Sequence, residues 1–488
     1  MTINSTILTQ INTTKTVGIL PPSISGLHID SRAIQMGNIF IAINGTETDG
    51  NNFITNAIQN GAAVIITENL PQNLIANIAY LQVKNASYAA GILAHIFYGE
   101  ISTKIKVIGV TGTNGKTTVA TILHQLFTGL GYTCGLVSTV QNIVGNTTLQ
   151  ATHTTPHAIA LQQLFAHMYN AGCTYIFMEV SSHALHQHRV AGVQFAGAIF
   201  TNITQDHLDY HKNMLDYIAA KKMLFDNLSA NAFAIINADD KRGAVMVQNT
   251  KAQIYYYSLQ QPAAYKAKII ENNFDGLHLQ INNSEAYFRL IGEFNAYNIL
   301  AAFATAHLCA IGIENILQQL SNLQGAQGRF EIFNSPKNTL TAIVDYAHTP
   351  DAVKNVLATI KRINQSQNNV ITVIGCGGNR DKEKRPLMAA AACEHSSMAI
   401  FTADNPRYEN PDDIIADMQH NLASAHKRKC MAIPNRKEAI KAAINTAKNG
   451  SIILVAGKGH EKYQEINGEK FPFDDKEIIE EMFALFER

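Results

Sequence analysis

The stretch Gly109-Val-Thr-Gly-Thr-Asn-Gly-Lys-Thr-Thr118 decides how this chain is read. The apolar run Ile105–Val110 leads into it, as a buried strand would. Beyond it Val119, Ile122, Leu123, Leu126, Phe127 and Leu130 recur at helical spacing, one face of an amphipathic helix. Strand, glycine-punctuated turn and a helix opening on Lys-Thr form a phosphate cradle, in which backbone N–H groups and the helix N-terminus hold the anion. Lys116 would reach the transferable phosphate, and the Thr117 hydroxyl is a suitable Mg²⁺ ligand. Gly112, Thr113, Asn114, Gly115, Lys116, Thr117 and Thr118 are therefore the candidate ATP contacts. The strict pattern for such loops has glycine where Val110 stands, so the loop is a variant. A glycine-rich turn with an incidental lysine is the competing reading, and the flanking strand and helix disfavour it.

Length and composition set the frame. At 488 residues the chain is too long for one core and suggests about three domains. Hydrophobic residues make up 46% and charged residues 16%, the balance of an ordinary globular protein. Lys+Arg and Asp+Glu both number 38, so no basic field suited to nucleic acid is present, and anionic substrates must be caught by local groups. Cysteines 134, 173, 309, 376, 393 and 430 are scattered without a C-x-x-C pair and read as reduced thiols. The opening Met-Thr-Ile-Asn-Ser lacks the basic and then apolar regions of a signal peptide, and no apolar run approaches the ~18 residues of a membrane span. A cytoplasmic monomer acting on small molecules is the expectation.

Three α/β units follow one another. Residues 1–99 hold short strands at Ile39–Ile43 and Ala63–Ile66 and an Asp30-Ser-Arg32 turn. Residues 100–334 carry the phosphate loop and the apolar strands Tyr175–Val180, Ala198–Asn202 and Phe233–Asn237. Strands alternating with helices imply a mostly parallel sheet, with ligands beyond the strands' carboxyl ends. Residues 335–488 restart the pattern with strands at Leu340–Val344, Val370–Ile374, Met398–Phe401 and Ile452–Val455. Each runs into a polar motif: Asp345-Tyr-Ala-His348, Gly375-Cys-Gly-Gly-Asn-Arg380, Asp404-Asn-Pro-Arg407 and Gly457-Lys-Gly-His-Glu461. This last unit is Rossmann-like, but its first strand lacks G-x-G-x-x-G, which disfavours a dinucleotide.

The central unit offers a metal set. Glu179 ends a strand in Met178-Glu-Val-Ser-Ser-His183, and His207 follows another in Asp206-His-Leu-Asp-Tyr-His211. Carboxylate, imidazole and the Thr117 hydroxyl can serve Mg²⁺ beside ATP, although imidazole is softer than Mg²⁺ prefers. Alone, His207 would read as a hydrogen-bonded structural histidine; its place at a strand end in a nucleotide-binding unit favours the ligand. Lys221, in Tyr217-Ile-Ala-Ala-Lys221, reads by itself as a solvated helix lysine.

These motifs together resemble the Mur ligase family, ATP-dependent amide-bond formers of peptidoglycan precursor synthesis, from Asp30 to Glu461. The loop Thr111–Thr117 is similar to the family's shortened phosphate loop, which accounts for Val110. Gly292-Glu-Phe-Asn-Ala-Tyr-Asn298 and Gly328-Arg-Phe-Glu331 resemble its remaining nucleotide contacts, Asn298 and Arg329. The resemblance implies catalytic roles for Lys116, Glu179, His207 and Lys221. It also implies carbamylation of Lys221 by CO₂, so that Thr117, Glu179, His207 and the carbamate hold Mg²⁺. Ile29, Ser31, Thr46, Glu47 and Thr48 match positions at the uridine diphosphate end of UDP-MurNAc-L-Ala-D-Glu. His153, Thr154, Thr155, Ser181, Gln187 and Arg189 match those holding the muramoyl-peptide.

Asp404-Asn405-Pro406-Arg407 is similar to the family type that adds meso-diaminopimelate as third residue of the stem peptide. The chemistry agrees. Diaminopimelate has a distal carboxylate that lysine lacks, and a guanidinium pairs with carboxylates through a planar fork. The same arginine beside lysine's bare ammonium would be repulsive. Arg380, Gly457 and Glu461 match the other positions around this amino acid, and Glu461 suits an ammonium. Asn379 and Glu383 stand where the family usually has Asp and Gly, and Asn435 where Asp is usual. The alternatives are a lysine-adding or folate-polyglutamylating relative, or a non-catalytic nucleotide-binding protein. Arg407, the UDP-site matches and the intact Lys116, Glu179, His207 and Lys221 argue against each in turn.

Overall fold

The strand Lys106–Thr111 is buried along five of its six residues, because both of its faces are covered by helices. It pairs in parallel with Tyr175–Glu179 on one side and Phe195–Phe200 on the other. The helix Lys116–Gly129 follows it and buries Val119, Ile122, Leu123, Leu126 and Phe127 against the sheet. Leu130, at the end of the expected apolar face, is half-buried against the same cluster. Phe127 packs against Tyr175 and Phe177 at ring-centroid distances of 4.6 and 4.9 Å, which fastens the last turns of the helix to the sheet.

The computed structural model describes residues 1–45, 48–337, 339–364 and 366–487. Its sheets have five, eleven, six and two strands. The five-stranded sheet runs Thr13–Val17, Ala79–Val83, Ala62–Thr67, Asn38–Ile41, Leu27–His28, and only its first strand is antiparallel. The eleven-stranded sheet has a parallel centre from Tyr265–Asn273 to Cys134–Val137. Antiparallel strands extend it on both flanks: Gly276–Ile281 and Ser284–Phe288 on one, Gln141–Val144 and Thr147–Gln150 on the other. The flanks depart from the sequence expectation. Thr147–Gln150 is exposed throughout and carries no apolar alternation to announce a strand.

The six-stranded sheet runs Glu331–Asn334, Thr341–Asp345, Ile452–Ala456, Val370–Cys376, Met398–Ala403, Cys430–Ala432, all parallel after the first. Its strands end at the four polar motifs, so the motifs cluster at one edge. Arg436 and Asp475 are both fully buried and joined by hydrogen bonds of 2.8 and 2.7 Å, pinning the last helix, Asp475–Leu485, to the sheet. No helix among the described residues is long and apolar enough to cross a membrane.

Candidate active site

The phosphate loop is shaped by contacts that exclude side chains. Gly112 has φ +153°, and a Cβ there would lie 1.9 Å from Thr201 Oγ1. Gly115 has φ +89°, and a Cβ there would meet Asn298 Oδ1 at 2.7 Å. Glycine is thus required at both positions by backbone angle and by space. The residues ending the neighbouring strand hold the loop: Thr113 N donates to the Asn202 carbonyl (2.8 Å), Asn114 N to Asn202 Oδ1 (2.9 Å), and Thr201 Oγ1 to the Asn114 carbonyl (2.6 Å). Lys116 Nζ donates to the carbonyls of Gly112 and Thr113 at 2.9 and 2.8 Å. Burial lowers its pKa, an effect opposed by Glu179 and Asp206.

Around this loop lies a cavity of about 550 Å³ that unites Lys116, Thr117, Glu179, His207, Lys221, Asn298 and Arg329. Thr117 Oγ1 accepts from Arg329 Nη2 at 3.1 Å, and the Arg329 guanidinium lies 4.5 Å from the centre of the Tyr346 ring. Arg329 is held by the turn around it. The Asp345 carboxylate accepts from the N–H groups of Phe330 (2.7 Å) and Ala347 (2.8 Å), and burial raises its pKa. Asp345, Tyr346 and His348 all line the cavity. The sequence shows them as a motif after a strand but gives them no role.

Glu179 is fully buried. Its Oε1 accepts from Thr139 N at 2.7 Å, whereas Oε2 is buried without a hydrogen-bond partner among the described residues. A buried carboxylate oxygen left unpaired is costly, and a cation would satisfy it. Lys221 is also buried, not solvated as its sequence context alone suggests. Its Nζ donates to the Gly112 carbonyl at 2.8 Å and lies 4.6 Å from the Tyr217 ring centre. Burial, then Lys116, push its pKa well below that of an ordinary lysine. The neutral amine this favours is the form that attacks an electrophile such as CO₂.

His207 has a left-handed backbone, φ +55°, and its Nε2 is 3.3 Å from Asp206 Oδ2. Burial drives its imidazole strongly toward the neutral form. Among the described residues no three His, Cys, Asp or Glu side chains form a metal-holding group. Mg²⁺ nonetheless fits this cavity: Glu179 offers its unpaired oxygen, Thr117 a hydroxyl and Lys221 an amine open to modification, and phosphate oxygens complete a hard, oxygen-rich set.

A second cavity of about 510 Å³ opens between the five-stranded sheet and the central unit, lined by Ile29, Glu68, Gln187 and Arg189. Arg189 donates to Gln187 Oε1 at 2.9 and 2.7 Å and to the Thr155 carbonyl at 2.8 Å. Thr154 and Ser181 line the larger cavity instead. Four expected contacts lie off both cavities. Ser31 is buried, with its carbonyl accepting from Asn60 Nδ2, and Thr48 is exposed, with its carbonyl accepting from Gly45 N. His153 is exposed beside Thr152. Thr155 is buried and acts as a buckle: its hydroxyl donates to the Glu179 carbonyl (2.9 Å) and accepts from Ser181 N (3.2 Å). Thr46 and Glu47 lie outside the described residues.

At the carboxyl edge of the six-stranded sheet, Asp404, Asn405 and Pro406 are buried and Arg407 is half-buried with φ +53°. Arg407 Nη1 donates to the Gly378 carbonyl at 2.8 Å, and its Nε lies 3.3 Å from Glu465. A substrate carboxylate seeking this fork must therefore share it with Glu465. Gly378 has no room for a side chain, since a Cβ would lie 1.9 Å from the Pro406 carbonyl. Fully buried Arg385 pairs with both oxygens of Glu409 (2.9 and 3.0 Å) and with Asp417 (2.8 Å). Glu409 accepts from Asn379 N in turn, so the loops carrying Arg380 and Arg407 are braced together. Arg380 is exposed and lines neither cavity. Asn379 has the left-handed φ of +52° that asparagine tolerates, and its side chain accepts from Tyr408 N. Asn435 caps the helix Arg436–Thr446 as an aspartate would.

Comparison with known proteins shows the family of the chain. Residues 23–101 match the model described as Mur ligase family, catalytic domain; 110–306 the Mur ligase middle domain; and 328–459 the Mur ligase, glutamate ligase domain. The chain belongs to the Mur ligase family. Members of this family are ATP-dependent amide-bond-forming ligases. The chain is 52% identical to the UDP-N-acetylmuramoyl-L-alanyl-D-glutamate–2,6-diaminopimelate ligase of Cytophaga hutchinsonii, covering 94% of each. It is 49% identical to that of Phocaeicola vulgatus, covering 98% of this chain and 99% of the relative. A solved structure of a ligase of the same name superposes over the whole of both chains with TM-score 0.69 and 31% identity. The MurF ligase of Thermotoga maritima, solved in complex with ADP, shares the fold at TM-score 0.63 and 17% identity over 94% of this chain and 97% of that one.

Proposed function

We propose that this Mur ligase joins meso-diaminopimelate to the D-Glu side-chain carboxylate of UDP-MurNAc-L-Ala-D-Glu. The carboxylate attacks the γ-phosphorus of ATP and ADP departs, leaving an acyl phosphate. An amine of diaminopimelate then attacks the acyl carbon, inorganic phosphate departs and the amine's proton passes to solvent, leaving the amide. Lys116 and Arg329 disperse charge on the transferring phosphoryl group, so the protein contributes mainly position and electrostatics. Thr117, Glu179, His207 and a carbamylated Lys221 would hold Mg²⁺, whose charge offsets that of the triphosphate. The carbamate forms when the neutral Lys221 amine adds to CO₂ and releases a proton.

The observation that carries the reading is the union of Lys116, Glu179, Lys221 and Arg329 in one cavity with Tyr346 and His348 of the neighbouring sheet. In this reading the third sheet brings the amino acid toward the nucleotide, and closing the cleft around the acyl phosphate would keep water from it. Arg407 supports diaminopimelate over lysine, as do the names of the full-length relatives. The second cavity, between the five-stranded sheet and Arg189, suits the UDP-muramoyl end. Hydroxylamine trapping tests the order of steps. ATP with the UDP-linked dipeptide and no amino acid should yield a hydroxamate on the glutamyl side chain. ADP formation without any hydroxamate would contradict the acyl phosphate.

A further inference from the structure

Lys458 is fully buried just after the strand Ile452–Ala456, among residues expected to hold the amino acid. Its Nζ donates to Asn405 Oδ1 at 2.9 Å and lies 3.4 Å from Glu461 Oε2 and 3.5 Å from Asp404 Oδ1. Asn405 Nδ2 donates to the same Glu461 oxygen at 2.7 Å, while Asp404 Oδ1 has no hydrogen-bond partner among the described residues. One ammonium thus stands between the carboxylates of buried Asp404 and half-buried Glu461, and one acceptor oxygen is left over. We propose that Lys458 is a positioning residue for the amino-acid substrate, cancelling one of the two carboxylates Asp404 and Glu461 so that the pair presents a single negative charge to a single substrate ammonium. The inference rests on the reading that this edge binds a diamino acid.

The charge count explains why a buried lysine is kept here. Two carboxylates this close together and without a cation repel each other, so one of them takes up a proton more readily. Burial and Asp404 already raise the Glu461 pKa, and Lys458 works against both. The other groups facing Glu461 do not replace it. Tyr346 and Tyr463 are held neutral, with raised pKa values, and burial lowers His460 to about 3. Arg436 is already matched by Asp475. With Lys458 present, the distal ammonium of diaminopimelate meets one net negative charge, and its neighbouring carboxylate is left to Arg407.

Removing the ammonium should therefore raise the proton affinity of Glu461. The protonated acid cannot pair a substrate ammonium, and raising the pH restores the carboxylate. Wild type, Lys458→Met and the double variant Lys458→Met/Asp404→Asn are compared by steady-state kinetics with varied meso-diaminopimelate at saturating ATP and UDP-linked dipeptide. The range is roughly pH 6 to 9, and the substrate's own amines titrate identically for all three. Lys458→Met should raise KM for diaminopimelate by about tenfold or more near neutrality, with KM for ATP little changed. Its acid limb of kcat/KM should move about one pH unit upward. The double variant, with one carboxylate again, should return the limb. A limb that does not move, or moves equally in the double variant, overturns the proposal, since a merely structural lysine would lower kcat/KM evenly across pH. If Lys458→Met does not fold, Lys458→Arg must keep the wild-type limb and Glu461→Gln must abolish it; a wild-type limb in Glu461→Gln overturns the proposal as well. Wild type without diaminopimelate-dependent phosphate release would refute the substrate reading itself, separately from the role of Lys458.

Discussion

Lys221 Nζ donates to the Gly112 carbonyl at 2.8 Å across 109 residues of sequence, tying the helix Met214–Asp226 to the first turn of the phosphate loop. Lys116 Nζ donates to the same carbonyl at 2.9 Å. Two lysines therefore share one acceptor in a buried space, and each makes it harder for the other to carry a proton. The proposed carbamylation would resolve the conflict, placing an anion beside the Lys116 ammonium instead of a second cation.

Lys221→Met should be nearly inactive. Incubation with ¹³C-bicarbonate should give a carbamate resonance in the parent and none in the variant. The stability effect has the opposite sign. The folded-state pKa of Lys221 lies below its unfolded value, so between the two the unfolded chain binds the extra proton. Stability from this site thus falls as pH drops from the ordinary lysine range toward the folded pKa. In bicarbonate-free buffer near neutrality, Lys221→Met should be more stable than the parent in thermal or denaturant unfolding, and the difference should shrink as the pH is raised.

Lys116→Ala removes the charge nearest the transferring phosphate. It should lower kcat on the order of 10²-fold or more while leaving the melting curve almost in place. Near wild-type turnover would show that the loop does not serve phosphoryl transfer.

Arg407→Ala should raise KM for meso-diaminopimelate by orders of magnitude, because stranding a buried charge costs about 3–5 kcal/mol. KM for ATP should change little. Any residual turnover with lysine should be unaffected or improved, since lysine has no carboxylate for the guanidinium. A comparable loss for both amino acids would mean that Arg407 supports the loop instead.

The Arg436–Asp475 pair is a test of stability alone. Both side chains are completely buried, so Arg436→Met leaves Asp475 without its guanidinium and should destabilise the chain by about 3–5 kcal/mol. Removing both partners with apolar residues of similar size should cost much less. Chemical denaturation of the single and double variants measures the difference.

What sequence reasoning recovered is what local chemistry writes into consecutive residues. The strand–loop–helix at 106–129 carries its period, its glycines and its lysine within one window. The four post-strand motifs of the last sheet are legible for the same reason. Thr147–Gln150 and Thr13–Val17 are not, because edge strands facing water need no apolar alternation. Long-range burial is equally hidden. Lys221 and Lys458 look like any helix or loop lysine until the Gly112 carbonyl or Asp404 is brought to them. Thr155 is hidden in the same way: only the fold shows that its hydroxyl donates to the Glu179 carbonyl and accepts from Ser181 N at the end of that strand.

The central claim is a choice of substrates. The direct measurement is phosphate release by the purified protein with ATP, Mg²⁺ and UDP-MurNAc-L-Ala-D-Glu, comparing kcat/KM for meso-diaminopimelate and L-lysine. The account predicts release that requires the UDP-linked dipeptide and favours diaminopimelate by at least about 10²-fold, the equivalent of some 2.7 kcal/mol. Equal kcat/KM for the two amino acids, or release that ignores the dipeptide, would contradict it.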